Sequence, residues 1–143
     1  QLARARDASR KTTVGQLSKA AQAYYTSQSS YPTENATWIT TLVNAGEVKS
    51  VPGATGYSIT AATQCDVNTQ PASGGGYCYD ANLASSATEA IMFVRMESGS
   101  ENAKCASGQA AWFLWSSTDG RAGVVCTAGD TTNPSAMGTY TYN

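Results

Sequence analysis

The sequence predicts an α+β domain in which a long N-terminal α-helix packs on an antiparallel β-sheet. Three observations carry this reading. The first 28 or so residues show a helical apolar period without proline, and later apolar runs are short and alternate with polar residues between turn signals. Helical segments come first and strand-like ones follow, without βαβ alternation, which points to a sheet of antiparallel strands. The 143 residues are about one domain's worth. They divide into a helix over 1–29, a connecting loop with a short helix over 30–56, and a sheet with a C-terminal disulfide region over 57–143.

The first helix is the best-marked element. Ala, Arg, Lys, Gln and Leu dominate from Leu2 to Ser27, and all are good helix formers. Val14, Leu17, Ala21 and Tyr24, spaced by 3, 4 and 3, draw one apolar stripe expected to pack the helix on the sheet. Gly15 costs about 1 kcal/mol relative to Ala. Arg4, Arg6 and Arg10 crowd the start of the helix, where the macrodipole disfavours positive charge, and no clear N-cap is present. The helix is therefore expected to continue upstream into an apolar segment. Arg4, Arg6, Arg10 and Lys11 then form a juxtamembrane basic cluster at the level of lipid head groups. A DNA-binding stripe is the other reading of these four. The chain's net charge of −1 lacks a nucleic-acid binder's basic footprint, and no specific nucleic-acid partner is expected.

Pro32 stops the polar stretch after the helix. Thr37 is placed to cap a short helix presenting Trp38, Ile39, Leu42 and Val43 on one face and ending at Gly46. Tyr57, Ile59 and Ala61 alternate with polar residues as a strand, and Ala90–Met96 reads as a more buried one. Ala111–Trp115 and Ala122–Val125 flank Thr118-Asp119-Gly120-Arg121, a hairpin signal. Tyr140 and Tyr142 alternate with threonines and are expected to add an edge strand.

Composition removes whole classes of chemistry. Ala, Ser, Thr and Gly make up 70 of the 143 residues, charged residues are 13%, and histidine is absent. Without histidine there is no Ser-His-Asp or Cys-His catalysis and no imidazole metal ligand. Glu97 and Glu101 are the conceivable acid/base pair, but they flank Ser98-Gly99-Ser100 in an expected loop with nothing else to support a dyad. No enzyme activity, small-molecule substrate, cofactor or metal is expected. The near-neutral total conceals a net charge of +4 over the first 19 residues and −5 over the rest. Asn35-Ala36-Thr37 is a formal glycosylation triplet.

Cys65, Cys78, Cys105 and Cys126 contain no Cys-x-x-Cys pair and have no histidine near them, so zinc and thioredoxin-like redox sites are poor readings. Three disulfide pairings are possible. The local ones, Cys65 with Cys78 and Cys105 with Cys126, close modest loops and are expected over crossed ones. Two disulfides imply an extracytoplasmic compartment. Trp112, Phe113 and Trp115 fall on alternating faces of a strand, so one aromatic group is expected to meet the helix and the other to serve as a ligand or subunit contact.

The order Ala5-Arg6-Asp7-Ala8-Ser9-Arg10-Lys11, Leu17, Ala23-Tyr24-Tyr25, Ser30-Tyr31-Pro32, Trp38 with Leu42 and Gly46, then Val48 to Pro52 resembles the type IV pilins and the related pseudopilins of type II secretion. The likeness covers residues 1–52, about a third of the chain. It implies a pilin-like fold whose upstream helix half is membrane-embedded before assembly and lies in the filament core afterwards. The implied partners are copies of the chain and other pilin-like subunits, with the membrane reached through that upstream half. The implied location is a filament at the bacterial surface, serving motility, adhesion, DNA uptake or secretion. Cys105 and Cys126 look similar to the ends of the family's disulfide-bounded region, and Leu114–Gly120 is loosely similar to the calcium-loop segment of major pseudopilins. Asp119 with Ser117 or Asp130 falls short of the six to eight oxygens Ca²⁺ takes, so no metal is expected there. The alternative is a secreted binding module that uses exposed aromatics on a sugar or protein.

Overall fold

The computed structural model describes residues 2–57, 68–71, 75–129 and 132–143. Helix α1 spans Leu2–Gln28, with no acidic residue in its first turn. It ends where Ser29 takes a left-handed φ of 62° and its N–H reaches Tyr25 O at 2.8 Å, a helix stop that glycine usually supplies. Helix α2 spans Trp38–Asn44. Gly46, at φ 80°, closes it as the sequence predicts, with its N–H on Val43 O and that of Glu47 on Leu42 O.

The cap of α2 differs from expectation. Thr37 occupies the N-cap position but its side chain caps nothing. Its hydroxyl and backbone N–H instead turn back to Asn35 Oδ1, at 3.0 and 2.9 Å. The orphan amides of Ile39 and Thr40 are satisfied by Gln70 Oε1, at 2.7 and 3.1 Å, from the edge of the sheet. Gln70 Nε2 completes the clamp on Thr40 Oγ1 at 2.7 Å.

The sheet has five antiparallel strands in the order β1-β2-β3-β4-β5: Thr69–Gln70, Tyr77–Ala81, Ala90–Arg95, Ala110–Ser116 and Arg121–Thr127. The predicted hairpin is β4–β5, with Ser116 opposite Arg121 and Gly120 at φ 65° in the turn, so Arg121 belongs to the strand. Of the strand expected from Tyr57 to Ala61, Tyr57 lies in no strand and 58–61 fall outside the described residues. The stretch after Met96 is not all loop. A single turn, α3 (Gly99–Asn102), is capped by Ser98, whose hydroxyl accepts from the Glu101 N–H.

Alternation along each strand separates two apolar layers. On the inner face Tyr77, Tyr79, Met92, Val94, Ala111, Phe113 and Trp115 meet the α1 stripe and α2. Val14, Leu17 and Ala21 are fully buried there, and Tyr24 packs at the margin. Burying Leu17 contributes about 2 kcal/mol by area. Trp38 stacks on Tyr79 with ring centres 4.7 Å apart and donates to Asn68 O. On the outer face Cys78, Ile91, Phe93, Trp112, Leu114 and Val125 form the second layer, against which Met137, Tyr140 and Tyr142 pack.

Tyr140 and Tyr142 therefore do not extend the sheet as an edge strand. Segment 132–143 has no strand pairing and lies over the outer face, with its two tyrosines directed onto that apolar layer. The aromatic run of β4 is correspondingly enclosed. Trp112 is fully buried and donates to Thr127 Oγ1 at 2.9 Å, while Trp115 is nearly as buried beside the ring of Tyr31. Phe113 is half-buried, with Lys11 Nζ 5.7 Å above its ring. Neither indole offers an open ligand platform, because both faces of the sheet are covered: the inner by helices, the outer by the C-terminal segment.

Cys105 and Cys126 are joined, with Cα atoms 5.7 Å apart, tying the end of the α3 turn to β5. Cys78 is buried in β2 and disulfide-bonded; Cys65 lies outside the described residues. Among the described residues no helix is long and apolar enough to cross a membrane.

Candidate functional site

The densest polar constellation joins the start of α1 to the segment that leaves β3. Helical spacing sets Arg6, Asp7, Arg10 and Lys11 on neighbouring turns. Asp7 is 2% exposed and Arg10 1% exposed. Asp7 accepts from Arg10 Nη1 at 2.6 Å, from the Ser98 N–H at 2.9 Å and from the Glu97 N–H at 3.1 Å. Arg10 also reaches Glu97 Oε1 at 3.1 Å and Thr55 O at 2.8 Å, and its guanidinium lies 5.5 Å from the centre of the Tyr57 ring. Arg6 grips both oxygens of Glu97, Nε on Oε1 and Nη2 on Oε2, in the two-pronged geometry that arginine forms with carboxylates. Lys11 Nζ pairs with Glu101 Oε2 at 2.7 Å, and Lys104 Nζ approaches the other oxygen at 3.0 Å.

Most of the basic cluster is thus engaged within the domain. Three of its four members, Arg6, Arg10 and Lys11, are neutralised within the domain by Asp7, Glu97 and Glu101. Arg4 alone of the four is exposed and without an ion pair among the described residues. The physical reason is desolvation: a guanidinium as buried as Arg10 needs carboxylates around it.

Hydrogen bonding sets the carboxylates' protonation. Burial pushes the Asp7 carboxyl up, but hydrogen bonds from the Ser98 and Glu97 backbone, the Ser98 hydroxyl and Arg10 outweigh it and hold it below its ordinary value. Arg6 holds Glu97 down, against its burial, with help from Arg10. Glu101 is pushed up by burial and drawn further down by Lys11 and Lys104. Glu97 and Glu101 therefore stay ionised at neutral pH, the opposite of what a general acid needs. Chemically, the cluster is an electrostatic clasp.

Two clefts border it. One of about 410 Å³ lies between α1 and residues 52–56, with Arg6, Ser9, Arg10, Thr13 and Tyr77 on its walls. Another of about 310 Å³ is bounded by Arg4, Asp7, Lys11, Ser98 and Glu101. Among the described residues no group of three or more Cys, Asp or Glu is arranged to hold a metal ion. Asp119, the one firm carboxylate of the calcium-like segment, is otherwise engaged. Its Oδ2 accepts from the Tyr142 hydroxyl at 2.7 Å and the Tyr140 N–H at 3.0 Å. Asp130 lies outside the described residues.

Sequence reasoning missed the roles of Asp7, Glu97 and Glu101. A signal was present for Asp7 alone, which precedes Arg10 by three residues on one helix face. Comparison of the chain with protein-family models, with characterised proteins and with solved structures finds no match.

Proposed function

We propose that this chain is a structural subunit of a type IV pilus or a related pilus-like filament and acts by self-assembly. The observation that carries the reading is how α1 is set. Its 27 residues lie across the inner face of an antiparallel meander, and its first buried residue is Asp7, with Leu2, Arg4 and Ala5 exposed at its start. A filament built on helix packing needs that arrangement, with the far end of the helix available to neighbours and the near end welded to a sheet. The resemblance over residues 1–52 and the bridged Cys105–Cys126 region point the same way. In this reading Arg4 and the partly exposed Arg6 and Lys11 lie nearest the membrane before assembly, and head-to-tail contacts that do not close generate the filament. The subunit is extracytoplasmic, its partners are copies of itself and other pilin-like chains, and it performs no catalysis.

Labelling source cells with antibody against this domain tests the proposal. Decoration of long surface filaments, together with about 20 apolar residues encoded just upstream of Gln1, is the expected result. A cleavable signal peptide ending near Gln1, or a freely diffusing secreted antigen, would overturn it. The binding-module alternative loses its main support with the burial of Trp112 and Trp115.

A further inference from the structure

The outer face of the sheet is covered in an unusual way. Ile91, Phe93, Trp112, Leu114 and Val125 are at most 2% exposed, as buried as the residues beneath α1. Yet what lies over them among the described residues is segment 132–143, which has no strand or helix of its own and of which only Pro134 is buried. Its anchorage converges on the β4–β5 hairpin. Asp119 in the turn accepts from both the Tyr140 N–H and the Tyr142 hydroxyl. Arg121 sits 4.3 Å from the Tyr142 ring centre, and the Asn143 N–H reaches Val124 O at 2.8 Å. Tyr142 lies so close to β5 that a Cβ on Gly123 would come within 2.9 Å of its ring. Segments with exposed backbone and few buried side chains open at lower free energy than the sheets they cover.

We propose that residues 132–143 form a latched strap that opens as a unit separate from the sheet, with Asp119 as the latch, uncovering the apolar outer face when released. The closed strap hides an aromatic and aliphatic surface, and the open strap presents it. This follows from the intramolecular geometry and does not depend on the filament reading.

Native-state hydrogen exchange followed by mass spectrometry tests it directly. In the unmodified protein, amides of 132–143 are expected to exchange about 100-fold or more faster than those of β3 and β4. Asp119→Asn removes the charged acceptor; Gly123→Ala leaves Asp119 in place and wedges Tyr142 outward from the β5 side. Each is expected to raise strap exchange a further tenfold or so and to increase binding of an apolar dye, with β3 and β4 rates unchanged. A common exchange rate for strap and sheet in the unmodified protein would overturn the proposal, as would variants that lower protection equally in both or bind no more dye.

Discussion

Replacing Asp7 with Asn removes one charge from the clasp while keeping the side chain's shape, and its cost follows from the groups left behind. Asp7 and Arg10 are both almost wholly buried and pair at 2.6 Å. Removing one partner of such a pair strands the other and costs about 3–5 kcal/mol. Arg10 retains Glu97 and Thr55 O, so the low end applies, about 3 kcal/mol. For a domain of this length that is a fall in Tm of about 10 °C. The effect carries a pH signature. Asp7 titrates lower folded than unfolded, so its contribution is present above the unfolded value near 3.8 and is lost as pH falls through the folded one. Urea unfolding of the two proteins should therefore show the full gap at pH 7. The gap should narrow as pH falls through the unfolded value and go on shrinking toward the folded one. A gap below about 1 kcal/mol at pH 7, or one that stays constant down to pH 2, would refute the assignment of charge as the cause.

Leu17→Ala is expected to destabilise by 2–5 kcal/mol, read by urea unfolding, because the side chain is fully enclosed between α1 and the sheet. Replacing both Cys105 and Cys126 with serine should cost about 3 kcal/mol for a loop of this size, seen as a lower urea midpoint. Gln70→Ala uncaps α2 from across the chain and should cost about 1 kcal/mol, with accelerated hydrogen exchange at Ile39 and Thr40 as its local mark.

Elements defined by local period were legible in the sequence. The stripe Val14, Leu17, Ala21 and Tyr24 placed α1 on the sheet, Gly46 marked the end of α2, and the Asp119-Gly120 pair located the hairpin, because each is set by its own backbone and neighbours. Long-range partners were not. Glu97 lies 91 positions from Arg6 in the chain, and Gln70 lies 31 from Ile39; no local pattern encodes such meetings. Tyr140 and Tyr142 show why alternation misled. The two share a face in any extended segment, whether that segment pairs as a strand or merely drapes over one, and here the apolar layer under it decides. The partners of the basic cluster were hidden for a related reason: sequence counts charges without showing which are paired across the fold.

The clasp also gives the domain a mechanical character. Glu97 holds arginines from successive turns of α1 and belongs to the segment emerging directly from β3, the middle strand of the sheet. A pull along the helix would reach the sheet through the segment that leaves its middle strand, with the bonds of Arg6, Asp7 and Arg10 loaded together. Tension arriving through the start of α1 would thus meet the clasp within the first three turns, before it reached the stripe that packs on the sheet.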